Sequence, residues 1–109
     1  MSPTTPPAAP VPRESLLPVE SVDLLILESF PVQVTARIRG HLPDGCTSLG
    51  DVSQTRTGNT IEVTMKTVRS GEICIQLVTP VTRDVRLEGS FPPGEYLLRV
   101  NGLEKPFRT

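Results

Sequence analysis

The feature that most constrains this chain is an alternation of apolar and polar residues with a period of two, broken at intervals by Gly/Asn turns. "PVQVTARIRG" (31–40) sets Val32, Val34, Ala36 and Ile38 on one side, with Gln33, Thr35, Arg37 and Arg39 on the other. Successive strand side chains point to opposite faces, so this is the pattern of a strand buried on one side. "NTIEVTMKTV" repeats it, with Ile61, Val63 and Met65 inward. "DVRLEG" does so through Val85 and Leu87, and "EYLLRVNG" through Tyr96, Leu98 and Val100. "VDLLILE" is apolar on both faces. Its shortness and the Phe30-Pro31 stop predict a strand rather than a helix.

The punctuation predicts an antiparallel arrangement. "RTGNT" (56–60) and "RSGE" (69–72) read as short hairpin turns. Asn101-Gly102 suits a type I′ turn, whose two central residues need positive φ. Pro106 marks the final strand as an edge, because proline cannot donate to a ladder. Seven to eight short strands without a long helix predict an all-β, antiparallel, immunoglobulin-like β-sandwich. The expected core holds Val34, Ala36, Ile38, Ile61, Val63, Ile75, Leu87, Tyr96, Leu98 and Val100, together with Phe30, Phe91 and Phe107.

The amino-terminal part has a different character. Pro3, Pro6, Pro7, Pro10, Pro12 and Pro18 account for half of the twelve prolines. Such a segment buries too little apolar area to offset its ordering entropy. Residues 1–18 are therefore expected to form a disordered, extended tether, with the β-sandwich domain over 19–109. A recognition motif for a proline-binding module is the sharper alternative, but composition alone does not identify a partner.

Charge and composition narrow the function classes. A net charge of −1, with acids and bases interspersed, gives no basic stripe for nucleic acid. No tryptophan and one tyrosine leave little for a sugar-binding groove or a base-stacking platform. The longest apolar run, Leu24–Leu27, is far too short to span a bilayer. Arg37, Arg39, Lys66 and Arg86 are expected on an exposed, solvated sheet face.

Cys46 sits in the turn "HLPDGC", and Cys74 follows 28 positions later. A meander through the two turns would return Cys74 to the sheet end that carries Cys46, which permits a disulfide without requiring one. Closing a loop of that length contributes about 3.5 kcal/mol in the chain-entropy model. Two buried reduced cysteines are the alternative. A metal site on His41, Asp44 and Cys46 lacks the paired Cys/His ligands of strong zinc motifs, so neither metal nor cofactor is expected. A Cys46 nucleophile with His41 as base lacks a third, orienting residue.

"LPDGCTSL", "EICIQLVTPV" and "SFPPGEYLLRVNG" together resemble a group of small exported bacterial β-sandwich domains, often found behind a lipoprotein signal. The resemblance covers roughly residues 20–109. It implies a Cys46–Cys74 disulfide, export to the periplasm, cell surface or medium, and a lipid anchor ahead of the tether in a native precursor. It implies no activity. "MSPTTPPAAP" shows neither a basic start nor an apolar h-region, so an export signal is not visible in it.

The expected function is a non-enzymatic, envelope-associated or secreted module that binds a protein. The expected interaction loop is His41, Leu42, Pro43, Asp44 and Gly45, held by the disulfide. A protease inhibitor presenting residues 41–46 is the alternative, since a preorganised loop binds at lower entropic cost. An enzyme is not expected: no Ser/His/Asp set, phosphate loop or paired-carboxylate motif stands out.

Overall fold

The computed structural model describes residues 13–71 and 73–109. Eight strands form two sheets, and there is no helix among these residues. One sheet is built on β5 (Thr60–Arg69), which pairs with β4 (Thr47–Thr57) along one edge. Its other edge is shared by β1 (Arg13–Leu16) and β7 (Glu95–Val100), and β8 (Leu103–Arg108) continues outward from β7. The second sheet has the order β2 (Val19–Leu27), β3 (Gln33–Leu42), β6 (Thr79–Arg86). The β-sandwich predicted from the alternation is what the chain forms. Its pairing is antiparallel throughout except between β5 and β7, which run parallel.

The inward faces meet as the alternation requires. Val34, Ala36, Ile38, Val63, Met65, Leu98 and Val100 are fully buried, and Ile61, Leu87 and Tyr96 nearly so. Phe91, Tyr96 and Phe107 close one end as an aromatic cluster, with Tyr96 stacked on Phe107 at 5.2 Å between centroids. The Arg56 guanidinium lies 5.0 Å above the Phe91 ring, and its charge is attracted to the ring face.

Three expectations are corrected. Phe30 is fully exposed in the turn between β2 and β3, because the Phe30-Pro31 stop carries it past the end of both strands. Ile75 is 75% exposed, because it belongs to an irregular segment and not to a strand. The tether does not extend to residue 18. Arg13–Leu16 pair with Lys66–Arg69 of β5, and Leu17 is buried in the core. Residues 1–12 lie outside the described residues.

The segment 13–27 thus contributes to both sheets, β1 to one and β2 to the other. Asn101 fills the gap that this crossing leaves along β5. Its Nδ2 donates to the carbonyls of Leu17 and Met65, both at 2.9 Å. Its Oδ1 accepts from the Met65 N–H at 2.9 Å. The side-chain amide therefore replaces a peptide unit between the end of β1 and the end of β7. Asn101 and Gly102 have φ values of 49° and 91°, as a type I′ turn demands.

A candidate site at the disulfide end

The turn 43–46 is organised by Asp44. Its Oδ1 accepts from the Cys46 N–H at 2.9 Å and from the Thr47 hydroxyl at 2.8 Å. This is the local bonding that favours aspartate in turns. The Arg69 guanidinium approaches Asp44 Oδ2 at 3.4 Å. These contacts hold the Asp44 carboxyl below its ordinary pKa: the Thr47 hydroxyl lowers it most, and partial desolvation opposes.

Cys46 and Cys74 are joined, with Cα atoms 5.4 Å apart. The route differs from the expected meander. Cys74 does not start a strand; it lies in the irregular stretch between β5 and β6, and β6 then joins the other sheet. The disulfide therefore fastens the loop that carries the chain from one sheet to the other. Gly71, at φ 103°, permits the approach, since a Cβ there would stand 3.3 Å from Cys46 Sγ. The Gly45 N–H donates to the Ile75 carbonyl at 2.8 Å, a second tie between turn and loop.

The loop presents apolar side chains to solvent. Ile73 is 96% exposed, and Ile75, Leu77 and Val78 are also exposed. The predicted interaction residues beside it are used differently. His41 and Leu42 belong to β3. His41 Nδ1 lies 2.7 Å from Glu20 Oε1, and Leu42 packs against the core. Asp44 is turned inward, leaving Pro43 and Gly45 exposed. The structure does not bring His41 to Cys46 as a metal or nucleophile pair. Asp44, Cys46 and Cys74 do lie together, but sulfurs bonded to one another offer no thiolate to an ion.

The four basic residues expected on one face are divided. Lys66 lies in the five-stranded sheet beside Glu14, whereas Arg37, Arg39 and Arg86 belong to the other sheet. Arg37 meets Asp84 across β3 and β6 through two hydrogen bonds of 3.0 and 3.3 Å. These bonds lower the Asp84 pKa.

Sequence reasoning missed Arg69 and the exposure of 73–78. One signal was present: "CIQLVTP" puts apolar residues beside a cysteine already assigned to a sheet end, where little remains to cover them.

A small β-sandwich is also what comparison with known proteins returns. The sequence model of the ORF11 beta-sandwich domain matches residues 36–109. The chain belongs to the ORF11 beta-sandwich family. It is 36% identical to an uncharacterized 10.2 kDa protein in the HgiCIIM 5′ region of Herpetosiphon aurantiacus, over 83% of this chain and 97% of that protein. It is 33% identical to a second 10.2 kDa protein of that organism, in the HgiBIM 5′ region, over 73% of this chain and 99% of the relative. No solved structure matches. Membership of the ORF11 beta-sandwich family bears out the small sandwich domain that the sequence motifs implied. No helix among the described residues is long and apolar enough to cross a membrane.

Proposed function

We propose that this ORF11 beta-sandwich domain is a non-enzymatic interaction module that docks a protein partner on the 73–78 loop. The supporting observation is the exposure of Ile73 and Ile75 on a segment fixed by the Cys46–Cys74 bond and by the Gly45–Ile75 hydrogen bond. Contiguous exposed apolar side chains mark interaction surfaces. A loop already held in place loses less entropy on binding. The disulfide supports an oxidising, exported compartment, where such bonds persist. The Tyr96 hydroxyl, donating to the Pro92 carbonyl four residues upstream, supports an immunoglobulin-like variant of the sandwich.

Fewer features support a protease inhibitor. Leu42, Asp44 and Cys46 are engaged internally, so the 41–46 turn offers little to an enzyme cleft. The test is retention of proteins from an envelope extract by the wild-type chain and by an Ile73→Ser/Ile75→Ser variant of equal thermal stability. A partner held by the first and lost by the second is expected. Identical retention by both would remove the loop as the docking site. Recovery of the native protein in the cytosol with two free thiols would remove the exported setting.

A further inference from the structure

We propose that the outer edge of β2 is a self-association surface, on which a second copy of this chain adds its own β2 antiparallel about a two-fold axis at Ile26. The inference is independent of the loop at residues 73–78.

The hydrogen-bonding parity of the sheet comes first. The Leu87 N–H donates to the Val34 carbonyl, continuing the β3–β6 register in which Ala36 faces Val85. In an antiparallel ladder a residue's N–H and C=O point to the same neighbour, and successive residues alternate between neighbours. The even-numbered residues of β3 therefore bond to β6, and the odd-numbered ones bond to β2. The β2–β3 register pairs Asp23 with Arg37, Leu25 with Thr35 and Leu27 with Gln33. The odd-numbered residues of β2 are thus satisfied by β3. The N–H and C=O groups of Val22, Leu24 and Ile26 point outward, and no strand among the described residues pairs with that edge.

Edge strands are ordinarily protected by lysine, proline, short length or a bulge in mid-strand. β2 has nine residues, no proline and no lysine, and its one irregularity lies at its start, between Val19 and Ser21. Its charges, Glu20 and Asp23, lie in its first half, and its exposed side chains are apolar toward its end: Leu25 is 45% exposed, Leu27 is 59% exposed, and Phe30 follows fully exposed. Unpaired backbone beside apolar side chains calls for another strand as the occupant.

The sequence of β2 selects which strand. A closed two-fold contact needs a surface complementary to itself. With Ile26 on the axis, Leu25 stands opposite the second copy's Leu27, and Leu27 opposite its Leu25. These are non-hydrogen-bonded pairs, the type with the closest side chains. Ile26 faces Ile26 as a hydrogen-bonded pair, and Leu24 comes opposite Glu28, the last residue before the bend that follows β2. An axis at Leu25 instead sets Leu27 against Asp23. An axis at Leu24 sets Glu20 against Glu28, a like-charge pair that opposes association. The Ile26-centred register alone places every exposed leucine of β2 on a leucine. The product is a continuous six-stranded sheet, β6-β3-β2 followed by β2-β3-β6.

Sedimentation equilibrium of the full chain with its disulfide intact tests this, and a dimer is expected. L25K/L27K places like charges opposite one another and should give a monomer with unchanged far-UV circular dichroism. Leu77→Lys, on the 73–78 loop, should remain dimeric. Ile26→Cys should be joined to its own copy by a short thiol-reactive cross-linker, and Asp23→Cys should not. A monomeric wild type, a dimer that survives L25K/L27K, or a dimer lost in Leu77→Lys would each overturn the proposal. Cross-linking of Asp23→Cys in place of Ile26→Cys would overturn the register.

Discussion

Asn101 contributes to this fold through two separable properties, its backbone conformation and its side-chain amide. Asn101→Gly keeps the positive φ and removes the bonds to Leu17 and Met65. It should cost about 2–3 kcal/mol, since main-chain groups between β1 and β7 lose their partner. Urea unfolding of the variant measures it. Asp44 carries a pH dependence. Its carboxyl binds a proton less readily in the folded chain than in the unfolded one. Its contribution is complete above the ordinary value of 3.8 and disappears as pH falls through the lower native value. Asp44→Asn should flatten that part of the acid limb in a plot of Tm against pH. At this scale the alternation made most of the core legible, because period two decides which side chain faces inward. It failed at Ile75 and Phe30, apolar residues just outside strands, whose burial depends on what the rest of the fold leaves to cover them.

At the scale of elements, β1 is the least legible part of the fold. "RESLL" is short, lies among prolines and shows no clean alternation. Its place comes from pairing with β5, fifty or more positions away, and from Leu17. Removing residues 1–17 should therefore lower Tm by on the order of 10 °C. Burying one leucine is worth about 2–4 kcal/mol, and a domain of this size shifts by about 4–8 °C per kcal/mol. Leu17→Ala alone should account for most of that loss, as thermal unfolding followed by circular dichroism would show. The parallel β5–β7 pair was likewise beyond a reading by turns, which records only strands adjacent in sequence.

For the whole molecule, the disulfide position was legible and its route was not. The turn "PDGC" marked a sheet end, but spacing could not tell a meander within one sheet from a loop that changes sheets. C46S/C74S should lower Tm by roughly 15 °C, as expected for about 3.5 kcal/mol of loop-closure entropy in a small domain. Scanning calorimetry of the variant beside the oxidised wild type tests this.

The crossing of residues 13–27 between the sheets has a mechanical consequence. Tension applied through residues 1–12 enters the domain at the Arg13–Arg69 pair and meets the four residues of β1 before anything else. Peeled from that end, β1 opens one pair at a time until the load reaches Leu17 and the Asn101 amide that grips its carbonyl. There the same segment passes into the other sheet as β2, and further extension must part the sandwich itself. The first dozen or so ångströms of travel, at about 3.3 Å per residue, would therefore yield at low force. The domain behind them would hold.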